Sequence, residues 1–90
     1  MFIHIGGEYT ISKLWIIGIF DLDQTTTYGK DTNDFLKRQE DLGQLDIVSL
    51  EIPRSFVVTL DRVYLSPISA RTLIDRLNTK TNISSFYNER

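Results

Sequence analysis

Met1–Asp23 (MFIHIGGEYTISKLWIIGIFDLD) and Ile52–Leu73 (IPRSFVVTLDRVYLSPISARTL) decide the fold. In the first stretch, Phe2-Ile3-His4-Ile5 and Glu8-Tyr9-Thr10-Ile11 flank Gly6-Gly7. This is the form of two strands joined by a two-residue turn, in which glycines tolerate the positive φ that a tight turn demands. Ile3 and Ile5 fall on one side of the first strand and Phe2 and His4 on the other. Ile16–Leu22 is apolar almost throughout and rich in β-branched residues, which predicts a third strand buried on both faces or in a subunit contact. In the second stretch, Ser55–Leu60 and Val63–Ser66 form a hairpin around Asp61-Arg62. A helix then follows over Ala70–Asn78, with Ser69 as its cap and Ser66 followed by Pro67 as the alternative start. Ala70, Leu73, Ile74 and Leu77 share one face of that helix, and Arg71, Thr72, Asp75 and Arg76 share the other.

Between the two stretches, Asp23–Lys30 reads as a polar loop. A helix of about 11 residues begins at Asp31 or Thr32, whose short oxygen-bearing side chains suit a cap, and Gly43 ends it. Its apolar stripe is thin, with Phe35, Leu36 and Leu42, so one edge packs and the rest is solvated. Leu45–Leu50 is a fourth strand, and Pro53 confines the next residues to a strand start or edge because it offers no amide to a ladder. The class is α+β: a small, antiparallel β-rich domain with two helices over residues 1–78, followed by a polar tail over 79–90 whose only apolar anchors are Ile83, Phe86 and Tyr87.

Ninety residues make one domain, and a chain of this size buries only about 60–65% of the surface its unfolded form exposes, so self-association is a natural supplement to a modest core. With no cysteine there is neither a disulfide framework nor a thiolate site. The chain opens directly into alternating residues without a secretory signal. Its longest apolar run, Leu14–Phe20, has seven residues, far short of the roughly 20 that span a bilayer. The expected location is therefore cytoplasmic, where the acceptor-like triplet Asn82-Ile83-Ser84 is not glycosylated. The net charge is −2, but residues 1–51 hold nine acids against four bases and residues 52–90 three acids against six bases. Local field, not net charge, steers a polyanion, and this asymmetry hints at a basic face.

No catalytic constellation emerges, and the chain reads as a non-enzyme without a cofactor. His4 is the only histidine, lies on a strand, and has no second histidine or cysteine with which to share a metal, so its reading is structural. Gly29-Lys30 is followed by Asp31 where a phosphate loop needs Ser or Thr. Asp21, Asp23, Asp31 and Asp34 lack the alternating spacing and closing Glu of a calcium loop, and loop solvation and helix capping account for them. Trp15 is a large amphipathic ring suited to the core or to a subunit contact. Arg54, Arg62, Arg71 and Arg76 are ordinary surface residues one by one, but brought to one side they would make a phosphate-contacting patch.

The register of IHIGGEYTIS, IIGIFD, SFVVT and YLSPIS, spread over residues 1–77, resembles the RemA/RemB group of small bacterial extracellular-matrix regulators, and is closer to its B-type branch. The resemblance implies a sheet-rich fold similar to LytTR DNA-binding domains, assembly into a ring-like homo-oligomer, and control of matrix and biofilm genes through double-stranded DNA. It carries Arg54 forward as the leading DNA-binding residue, at the position of an arginine-rich run that Ile52-Pro53 mostly replaces here. Lys13 comes second, displaced by a residue or two from the arginine that precedes the IIGIFD-like strand in the group. Arg62, Arg71 and Arg76 assist, and Trp15 is assigned to the oligomer interface. An oligomer that repeats a weak patch would let a poorly basic monomer grip a phosphate backbone.

Overall fold

The N-terminal hairpin pairs β1 (Phe2–Gly6) with β2 (Tyr9–Ser12) in antiparallel register, Ile3 opposite Ile11 and His4 opposite Thr10. Its turn lies one residue later than the sequence suggests. Gly6 is the last residue of β1, Gly7 and Glu8 make the turn, and the register slips by one residue between His4 and Gly6. The reason is close packing against the rest of the chain. At φ +126°, Gly6 lies where a Cβ would meet the Pro67 ring, and Gly7, at φ +54°, lies where a Cβ would stand 2.3 Å from the Val48 carbonyl oxygen. The bulge lets the backbone press against those neighbours.

The computed structural model describes residues 1–22 and 29–78. After β2, a single 3-10 turn over Lys13–Trp15 leads into β3 (Ile16–Asp21); then come α1 (Gly29–Asp41), β4 (Leu45–Ile47), β5 (Ser55–Thr59), β6 (Val63–Ser66) and α2 (Ala70–Leu77). The second sheet has the order β3-β5-β6-β4, antiparallel except for the β4–β6 pair. Strand β4 is shorter than Leu45–Leu50 because pairing with β6 ends at Ile47 opposite Leu65, after which Val48 makes one more bond to the Leu65 carbonyl.

Alternation along β5 sorts the two faces of this sheet. Val57 and Ile19 face the first hairpin and α2, in a core with Ile3, Ile5, Ile11, Val48 and Leu73. Phe56 and Phe20 face the other way, paired across the strands with ring centroids 5.0 Å apart, and Phe35 of α1 lies 6.0 Å from Phe56. Strand β3 is therefore not buried on both faces within one protomer. It is an edge strand with Ile17 and Phe20 exposed.

Helix ends follow local chemistry. Ser69 caps α2, its hydroxyl accepting from the Thr72 amide at 3.2 Å. Helix α1 starts at Gly29, so Asp31 and Thr32 are not its cap but lie in its first turn, where the Asp31 carboxylate suits the positive end of the dipole. Residues 23–28 before the helix and the polar tail from residue 79 lie outside the described residues. At the other end, Gly43 adopts φ +72°, its amide donates to the Glu40 carbonyl and that of Gln44 to the Gln39 carbonyl, a double closure that a left-handed residue makes available. Two buried serines fasten the connection before α2 and the first hairpin to the sheet: Ser55 Oγ donates to the Ile68 carbonyl at 2.7 Å, and Ser66 Oγ donates to the Ile5 carbonyl of β1 and accepts from the Ile68 amide.

Candidate nucleic-acid interface

The backbone places the candidate cations at different stations. Leu60 donates to the Trp15 carbonyl at one end of the β3–β5 pair, and Leu22 donates to the Arg54 carbonyl at the other. Six strand residues separate these points, a distance of roughly 20 Å at 3.3 Å per residue. Lys13, just before Trp15, and Arg54 thus belong to opposite ends of the sheet in one protomer. Arg62 shares the Lys13 end, because its amide donates to Thr59 Oγ1 in the β5–β6 turn.

Arg62 and Arg76 are engaged in holding the fold. Arg62 Nη1 is 2.8 Å from Asp46 Oδ1 and its Nη2 donates to the Gly43 carbonyl at 3.3 Å, so it clips the β5–β6 turn to β4 and to the C-terminus of α1. Arg76 donates to the His4 carbonyl at 2.7 Å, fastening the last turn of α2 to β1. His4 itself hydrogen-bonds through Nε2 to the Gly7 carbonyl at 2.9 Å, across its own hairpin. The partners of both arginines, Asp46 and a strand carbonyl, are far away in sequence and carry no motif.

Arg54 and Arg71 share the other end. The Arg54 amide donates to the Ser66 carbonyl at 2.8 Å while its carbonyl accepts from Leu22, so its backbone is held on both sides while the residue itself is exposed. Arg71 is exposed in the first turn of α2, three residues after Ile68, whose carbonyl accepts from Ser55 of β5. The platform carries two cations beside the N-terminus of α2, whose dipole end favours anions. Among the described residues, no group of three or more histidine or acidic side chains converges on a metal-sized site.

Trp15 is half-exposed and, with Phe2, Ile11 and Tyr64, lines a cavity of about 390 Å³ at the Lys13 end. Tyr9 meets Tyr64 edge to face, with centroids 5.9 Å apart. Burial is the main cause raising the Tyr64 phenol above its ordinary pKa of 10.0; the Asp46 and Asp61 charges add to it and Arg62 opposes them.

The family model for extracellular matrix regulatory protein A-like (RemA-like) chains matches residues 2–77. This chain belongs to the RemA-like family. The match runs from the first residue of β1 to the last of α2, and it bears out the resemblance carried by IHIGGEYTIS, IIGIFD, SFVVT and YLSPIS. Among curated relatives, extracellular matrix regulatory protein B of Bacillus subtilis (strain 168) is 33% identical over 85 residues, covering 94% of this chain and all of that protein. RemA-like membership accords with the small α+β architecture described above. No helix among the described residues is long and apolar enough to cross a membrane.

Proposed function

We propose that this protein is a DNA-binding transcriptional regulator of matrix genes, acting as a ring-like homo-oligomer with a fold similar to LytTR domains. The observation that carries the reading is the Arg54–Arg71 platform, where two exposed cations are set on backbone fastened by β3, β6 and the start of α2. A backbone already fastened favours phosphate contact, because little backbone freedom remains to be lost on binding. Family membership supports the regulatory role, and the relative's name refers to extracellular matrix regulation. Lys13 contributes from the opposite end of the sheet, and repetition of the patch round an oligomer raises the affinity of a chain whose net charge is −2.

A second reading is an oligomeric protein-interaction module without DNA contact. It is favoured by the engagement of Arg62 and Arg76 inside the fold, which draws two cations away from phosphate. A salt titration of binding to duplex DNA separates the two. Contacts to phosphate release counterions, so affinity falls steeply with salt, and Arg54→Ala lowers the slope by about one unit per engaged monomer. Equal slopes for wild type and Arg54→Ala, or no binding by wild type at low salt, would move the assignment to the interaction module.

A further inference from the structure

The cavity of about 390 Å³ at the Lys13 end is lined by Phe2, Trp15 and Tyr64 together with Thr10, Ile11 and Ser12 of β2. Its size falls within the roughly 300–1,000 Å³ of small-molecule pockets. The three aromatic residues come from separate elements, β1, the 3-10 turn and β6. Among the described residues, Tyr64 touches only the ring of Tyr9, and neither Phe2 nor Trp15 stacks on another aromatic ring. Phe2 is 69% and Trp15 51% exposed, so both keep ring surface open to a planar molecule.

The backbone of β2 supplies the polar part. The Lys13 amide donates to the Met1 carbonyl at 2.9 Å, which makes Met1–Lys13 a hydrogen-bonded pair of the antiparallel ladder. Bonded and non-bonded pairs alternate, so Ile3–Ile11 is bonded, whereas Phe2–Ser12 and His4–Thr10 are not. In a non-bonded pair the amides and carbonyls point away from the partner strand. Those of Thr10 and Ser12 therefore face the outer edge of β2, which no strand covers among the described residues. Along that edge the Thr10 carbonyl and the Ser12 amide are neighbours, an acceptor beside a donor. The edge is short, because β2 has four residues between the Gly7-Glu8 turn and the 3-10 turn, and it offers too little ladder for an added strand. An acceptor–donor pair next to open ring faces matches a single heterocycle.

We propose that this cavity binds a heteroaromatic base of the adenine type, stacked on Trp15 and Phe2, with its exocyclic amino group donating to the Thr10 carbonyl and the adjacent ring nitrogen accepting from the Ser12 amide. Stacking attracts any base, since every base has a π face, and the two backbone groups select one that carries a donor beside an acceptor. Such a base arrives free, as a nucleoside or nucleotide, or as an unpaired base of a strand. The site lies at the other end of the sheet from Arg54 and stands whether or not that platform meets DNA.

Trp15 is the only tryptophan, so its emission reports on the cavity directly. Titration with adenosine is expected to quench it saturably, half-complete at or below about 1 mM. The 6-dimethylaminopurine riboside, whose amino donor is blocked by two methyl groups, is expected to bind about tenfold more weakly, as for one lost hydrogen bond. Ser12→Pro removes the amide donor: Ser12 has φ −64°, which proline adopts, and its amide makes no ladder bond. That variant is expected to bind adenosine at least about tenfold more weakly, whereas Ser12→Ala, which loses only the hydroxyl, binds as wild type. Thermal melts verify that both fold; if Ser12→Pro does not, the blocked riboside on wild type decides alone. A short single-stranded oligodeoxyadenylate separates the two sources, and both of its outcomes support the site: binding about tenfold tighter than adenosine assigns the base to a strand, and equal binding assigns it to a free nucleoside or nucleotide. Absence of saturable quenching would overturn the inference, as would equal affinity for the two ribosides or wild-type affinity in folded Ser12→Pro. Emission that shifts with protein concentration but not with adenosine would also overturn it, assigning Trp15 to a contact between copies.

Discussion

Substituting alanine for glycine at positions 7 and 43 separates the cost of a left-handed backbone from the cost of close approach. Both residues have positive φ, +54° at Gly7 and +72° at Gly43. An L-residue in that region costs roughly 1–2 kcal/mol, partly offset by about 0.4–1 kcal/mol because alanine restricts the unfolded chain. At Gly43 a Cβ would meet nothing within 4 Å, so Gly43→Ala should cost on the order of 1 kcal/mol. At Gly7 the added Cβ would stand 2.3 Å from the Val48 carbonyl oxygen. The turn must lift or Val48 must rotate, straining its bond to the Leu65 carbonyl and loosening the packing of Ile3, Ile5 and Ile11 on the sheet. Losing one backbone bond and part of that packing adds about 2 kcal/mol, for a total near 3 kcal/mol. At roughly 4–8 °C per kcal/mol for a domain of this size, thermal melts followed by circular dichroism should show Gly43→Ala lowered by about 5 °C and Gly7→Ala by 12 °C or more. Equal shifts for the two variants would refute the claim that the first hairpin is pressed onto Val48.

Arg62→Ala should lower stability by about 1 kcal/mol, since the pair with Asp46 is part-exposed and screened, and it should leave the salt slope of DNA binding unchanged; a reduced slope with unchanged melting would place Arg62 on the phosphate. Tyr64 provides a pH test. Its phenol holds its proton more tightly folded than unfolded, so the associated stability is complete below pH 10 and is lost as pH rises from there through the folded-state value. Stability of Tyr64→Phe should therefore fall less steeply above pH 10 than that of wild type, as read by urea melts across that range; identical slopes would remove Tyr64 as the source.

Much of this architecture follows from local chemistry that a sequence displays directly. The alternation of Phe2 to Ile5, the polar corner at Asp61-Arg62, the cap at Ser69 and the stop at Gly43 depend on residues close to one another in the chain. Their physics is therefore written at short range. The family was legible for the same reason, because its register is carried by strand and turn residues. Tertiary structure decided what depends on distant partners. The turn moved from Gly6-Gly7 to Gly7-Glu8 because Val48 and Pro67 lie against it, and Ile16–Leu22, apolar enough to suggest burial on both faces or in a subunit contact, is not buried on both faces within one protomer because β3 is the terminal strand of its sheet among the described residues. Four arginines look alike as sequence. Only the fold engages Arg62 with Asp46 and Arg76 with the His4 carbonyl, and sets Arg54 on the platform beside Arg71, since a cation's role depends on which anion or carbonyl the chain brings within about 3 Å of it.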